Sequence, residues 1–75
     1  MDKKNLDIII NTISSCAKID SSKIDINSCA NDFIKWDSLS HIKIMIELEK
    51  KFNIKIKPHN MSQLMSVKLI LEFLE

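Results

Sequence analysis

Ser38-Leu39-Ser40-His41-Ile42-Lys43-Ile44-Met45-Ile46-Glu47-Leu48-Glu49-Lys50-Lys51-Phe52 is the stretch whose reading decides the fold. It holds no glycine, no proline and no long β-branched run, and the pair Asp37-Ser38 ahead of it is suited to capping, so it reads as one continuous helix closed by Asn53 and Pro58. At about 100° of rotation per residue, Ile44, Met45, Leu48 and Phe52 fall in one arc, and Leu39, Ile42 and Ile46 in another. One arc faces a core. The second is either the edge of a wide core stripe or an exposed apolar patch rimmed by Lys43, Glu47, Glu49 and Lys50, the kind of surface that receives a partner.

On the N-terminal side, Leu6, Ile9, Ile10, Ile13 and Ala17 recur at three-to-four spacing and predict an amphipathic helix from about Lys3 to Cys16, with Lys4, Asp7, Asn11 and Ser15 on its polar face. Between Ala17 and Asp37 the periodicity breaks into Asp, Ser and Asn clusters with single apolar anchors at Ile19, Ile24, Ile26, Phe33 and Ile34. This predicts a long ordered loop with room for a short helical turn; loops of that length in compact domains are either functional or misassigned. Beyond the central helix, Asn53-Ile54-Lys55-Ile56-Lys57 alternates like a strand but has no partner strand, and reads as an extended connector. His59 to Leu64 predicts a short third helix. Ser66 then caps a fourth that carries Val67, Ile70, Leu71, Phe73 and Leu74. The expectation is an all-α bundle of four helices with a long first loop and a short third helix, one domain over residues 1–75, and a monomer.

Composition excludes several classes. Seventy-five residues supply one core, and apolar residues at 45% are enough to fill it. The longest apolar runs, such as Ile8 to Ile10 and Leu69 to Leu71, fall far short of a membrane span, and the first residues lack the apolar core of a signal peptide, so a cytoplasmic location is expected. Eleven lysines stand against ten carboxylates, and no lysine stripe alternates with aromatics, which argues against nucleic acid. Cys16 and Cys29 have no paired-ligand spacing, so reduced thiols are expected, and a metal site drawing in His41 and His59 is set aside. His41 and His59 read as solvent-facing or partly buried bystanders; Met45, Met61 and Met65 read as gap-fillers of a small core.

Trp36-Asp37-Ser38-Leu39-Ser40-His41-Ile42, with the helix that follows and the connector to Pro58, closely resembles the signature region of acyl carrier proteins. Asp37-Ser38-Leu39 alone is a weak motif; its setting after a long loop, at the head of a long amphipathic helix, in a chain of this length, gives it weight. The likeness continues through Ile54, Ile56, Val67 and Ile70, and more loosely through Ile24 and Ile34 into the first helix.

The resemblance implies that Ser38 accepts 4'-phosphopantetheine from coenzyme A by the action of a phosphopantetheinyl transferase, and that acyl or aminoacyl groups then travel as thioesters on the arm. It implies a role for Asp37 in the transferase step, beside a plain capping role. It also implies an acyl- or aminoacyl-loading ligase and a downstream transferase or synthase as partners. Leu39, Ile42 and Ile46 are then docking anchors, with Lys43 and Glu47 beside them. Ile44, Leu48 and Phe52 are assigned to the core, where some of them would also line any pocket that shelters an acyl chain between the helices.

Carriers of fatty acid synthesis have a strongly acidic second helix and a glycine shortly before the triplet. Here Lys43, Lys50 and Lys51 interrupt the acidic series and Lys35-Trp36 precedes the triplet. The wording is closer to stand-alone carriers of polyketide, nonribosomal peptide, aminoacyl or polysaccharide-modifying pathways. Trp36 packs over the base of the helix or contacts the arm, and packing is the ordinary fate of a lone aromatic. An enzyme is not expected: no glycine elbow precedes Ser38, and no third group is evident to orient His41. The alternative is an unmodified interaction module that docks through Leu39, Ile42 and Ile46.

Overall fold

The computed structural model describes residues 3–75, so the first two positions of the expected domain lie outside the described residues. The described chain is all-α: α1 (Lys3–Ala17), α2 (Ser38–Phe52), α3 (Pro58–Gln63) and α4 (Val67–Leu74), with single 3-10 turns at Ser21–Lys23 and Ala30–Asp32 in the long first loop. Each expected helix is present, with ends shifted by one residue at most for α1 and α3. None of the helices is long and apolar enough to cross a membrane.

α1 and α2 both end without glycine. Lys18 (φ 56°) and Asn53 (φ 53°) take the left-handed conformation, which asparagine tolerates and lysine adopts at a cost of about 1–2 kcal/mol. The same closure accompanies both: Ile19 N–H reaches back to Ser14 C=O at 3.2 Å, and Ile54 N–H to Glu49 C=O at 3.0 Å. Each turn therefore delivers an isoleucine onto the core, Ile19 buried and Ile54 half-buried.

The core lies where α1 packs on α2 and α4. Ile9 and Ile13 of α1 meet Ile44, Met45 and Leu48 of α2 and Val67, Ile70 and Leu71 of α4, all essentially inaccessible. Phe52 contributes from the margin, half-buried. The connector behaves as an extended segment: Ile56 is buried and its N–H donates to the Glu49 carboxylate at 2.7 Å, so its backbone finds a side-chain partner in place of a strand. Pro58 then begins α3 at a position that needs no N–H donor.

The long loop is tied down near its middle. Ala30 N–H donates to Met65 C=O at 2.8 Å and Val67 N–H to Ser28 C=O at 3.0 Å, a two-residue antiparallel bridge that ties the loop to the start of α4. Side chains supply the rest: Asp20 caps the first 3-10 turn, Asp25 accepts from Asn27 N–H, and Asp32 accepts from Cys29 N–H. Ile19 and Ile24 anchor the loop in the core and Ile26 and Phe33 pack on its edge, but Ile34, expected as a fifth anchor, is 98% exposed. A loop has no period that dictates which face a residue takes, so its apolar character alone could not place it.

Candidate functional site

Ser38 is the first residue of α2, and its side chain is exposed. Asp37 is the N-cap: its Oδ1 accepts from Ser40 N–H at 2.9 Å, while its C=O receives the first helical bond, from His41 N–H at 2.8 Å. The Ser40 N–H, seconded by the Ser40 hydroxyl, holds the Asp37 carboxyl below the usual carboxylate range, so it is a fixed negative charge beside Ser38 at neutral pH. With the cap supplied by Asp37, the Ser38 hydroxyl stands at the positive end of the helix, where an attached phosphate is favoured.

His41, expected as a bystander, is instead a structural junction. It is only 6% exposed, and Trp36, 3% exposed, donates its Nε1–H to His41 Nδ1 at 3.0 Å. Because Nδ1 accepts, the ring proton sits on Nε2, which donates to Met61 C=O at 2.7 Å. One imidazole thus joins the segment before α2, α2 itself and α3. With both ring nitrogens occupied in this way, His41 is not aimed at Ser38 as a general base. Trp36 takes the packing role, over the base of α2.

His41 and Met61 of this junction line a groove of about 410 Å³ between the start of α2 and α3, together with Ser38, Ile42, Pro58, Ser62 and Met65. The lining is mostly apolar, and Ser38 stands at its edge. Met65, expected to fill a core gap, is a half-open wall of this groove; Met45 is fully buried and Met61 packs partly on the core. Ile44 and Leu48 are in the core as expected, and neither they nor Phe52 line the groove beside Ser38.

The second arc of α2 is open to solvent. Leu39 is 64%, Ile42 49% and Ile46 41% exposed, which separates it from the core stripe. Lys43 is exposed beside them; Glu47 is half-buried and approaches Lys50 at 3.8 Å. Toward α1 the helix borders a second, polar cleft of about 350 Å³, where Lys18, Lys43 and Lys51 surround Glu47 and Cys16. Burial, and then the nearby Glu47 charge, push the Cys16 thiol up, which suppresses the thiolate. Cys29 is exposed, and both thiols are free. His59 is exposed on α3.

The partners of His41 were the feature that sequence reasoning missed, although its phase on α2 offered a signal: His41, Ile44, Met45 and Leu48 follow one three-to-four pattern, and all four are buried. No family model matches the chain, and no curated protein matches it.

Proposed function

We propose that this chain is a carrier that holds acyl or aminoacyl groups on a 4'-phosphopantetheine arm attached to Ser38, and is not itself an enzyme. The observation that carries the reading is the setting of Ser38: an exposed hydroxyl at the head of α2, released from capping by Asp37, at the edge of an apolar groove. Attachment is a group transfer in which the Ser38 oxygen displaces adenosine 3',5'-bisphosphate from coenzyme A and forms a phosphodiester. The hydroxyl proton leaves to a base of the phosphopantetheinyl transferase. Once attached, the arm supplies a thiol that holds its cargo as a thioester. This chain's contribution is positional: the α2 N-terminus favours the phosphate, Asp37 keeps the serine free and charged surroundings fixed, and the groove offers apolar shelter beside it. The mixed charge of α2 fits a stand-alone carrier served by its own ligase and a downstream transferase or synthase.

The test is intact mass after incubation with coenzyme A, Mg²⁺ and broad-specificity transferases. Wild type gains one phosphopantetheine; Ser38→Ala gains none and keeps the wild-type circular dichroism and thermal midpoint, because the capping bond belongs to Asp37. A folded wild type left unmodified by several transferases would instead favour an unmodified module acting through the exposed face of α2.

A further inference from the structure

α4 buries one side and leaves the other unpartnered. Val67, Ile70 and Leu71 are closed in the core, whereas Leu69 is 45% and Phe73 39% exposed, one turn apart. At about 100° per residue, Phe73 follows Leu69 by about 40°, and Glu72 and Lys68 lie about 60° and 100° from Leu69 on the other flank. The result is an apolar ridge with one charged edge. Both charges are exposed, and the described residues contain no ion pair between them. Their order, lysine before glutamate, is the weaker one for a pair one turn apart. It also opposes the helix dipole: Lys68 stands in the first turn, at the positive end, and Glu72 in the last, at the negative end.

We infer that this ridge pairs antiparallel with the same ridge of a second copy of the chain. Charge complementarity selects both the occupant and the orientation. A two-fold axis crossing the pair at the level of Ile70 sets each residue before it opposite the residue equally far after it, with the charged edges on the same side. Lys68 then meets Glu72 of the copy, and Glu72 meets the copy's Lys68. Each lysine also comes to the C-terminal end of the facing helix and each glutamate to the N-terminal end, so the facing dipole offsets both mismatches. Phe73 of the copy falls about 3 Å along the axis from Leu69, close enough to interlock. A parallel pairing would align the two dipoles and carry the charged edges to opposite sides. An anionic bilayer would meet Glu72 at the edge of the ridge. A net charge of +1 opposes the approach of two copies only slightly. The ridge is small beside the roughly 800 Å² per partner of a stable interface, so the association is weak, with a dissociation constant on the order of 0.1–1 mM. Neither Leu69 nor Phe73 lines the groove beside Ser38, so pairing through α4 draws on none of that groove's lining.

The ¹⁵N-labelled full chain is followed by sedimentation equilibrium and amide shifts from about 20 µM to about 2 mM, at low salt, where exposed charge pairs are least screened. Wild type is expected to move toward the mass of two chains, with concentration-dependent shifts along α4. Lys68→Glu and Glu72→Lys should each weaken association about tenfold or more, whereas an equimolar mixture of the two variants should associate more tightly than either alone. Each variant gains from the helix dipole about what it loses to a like-charged neighbour one turn away, so its thermal midpoint should stay near that of wild type. Loss of association is thereby separated from loss of fold. Leu69→Ser, at an exposed position, should leave a monomer throughout. A wild type that stays monomeric at the highest concentration, single reversals that associate like wild type, a mixture no tighter than its components, or shifts confined to the exposed arc of α2 would overturn the inference. So would adsorption to phosphatidylglycerol vesicles without self-association, which would assign the ridge to a membrane. The series gives the same answer on Ser38→Ala, so a chain that pairs but never gains phosphopantetheine loses the carrier reading and keeps this one.

Discussion

The hydrogen bond from Trp36 to His41 fixes more than a tautomer. Both groups are buried and each hydrogen bond of the imidazole ends on a different segment, so removing the ring leaves an indole N–H and the Met61 carbonyl unsatisfied. Such orphaned groups cost about 1–3 kcal/mol each. His41→Phe is therefore expected to lower the denaturation midpoint, and Trp36→Phe to do so as well by stranding Nδ1. The double variant should lose less than the two single losses added, because the shared bond is removed only once. Circular dichroism follows all four proteins; strict additivity would show that the bond contributes nothing. Part of this junction was legible, since the phase of His41 on α2 is that of a core residue. Its partners were not: Trp36 precedes the helix, where no period applies, and the third member is a backbone carbonyl twenty residues onward, which side-chain identity does not report.

At the scale of the element, α2 is a helix with two assignments, and the arcs drawn from periodicity separate cleanly in the structure. Ile44, Met45 and Leu48 are sealed in the core that α2 shares with α1 and α4, whereas Leu39, Ile42 and Ile46 remain open. Periodicity alone allowed both a wide stripe and two faces, because the width of a core stripe depends on how many neighbours surround a helix. Here α1 packs along one side, and α3, six residues long, is too short to cover the other. The two sets should respond differently to truncation. Leu48→Ala is expected to cost about 2–5 kcal/mol, a large share of the roughly 4–11 kcal/mol that a domain of this size commands. Leu39→Ala should stay within about 0.5 kcal/mol of wild type in the same urea titration. A Leu39→Ala loss comparable to that of Leu48→Ala would place Leu39 in the core and remove the docking face.

For the molecule as a whole, the long first loop was recognisable from its Asp, Ser and Asn clusters. The bridge from Ser28 and Ala30 to Met65 and Val67 was not, since it is made by backbone groups of segments far apart in sequence. The fold thus depends on capping carboxylates at two distant places, Asp20 in the loop and Asp37 at α2. Both are held below the usual carboxylate range, in each case first by a backbone N–H, of Ser22 and of Ser40, and then by the hydroxyl of the same residue. A carboxyl whose folded pKa is depressed contributes its full stabilisation above its unfolded pKa, about 3.9, and loses it as pH falls through the lower folded value. Acid also leaves eleven lysines with few opposing charges, so general repulsion works in the same direction. Salt separates the two, because it screens repulsion between exposed charges far more than it weakens a cap's hydrogen bonds. In high salt, wild type is expected to keep an acid-dependent fall in its thermal midpoint below about pH 4. Asp20→Asn/Asp37→Asn, which retains an accepting oxygen at each cap but cannot ionise, should show a shallower fall. Parallel curves would mean that the caps carry no proton-linked stability.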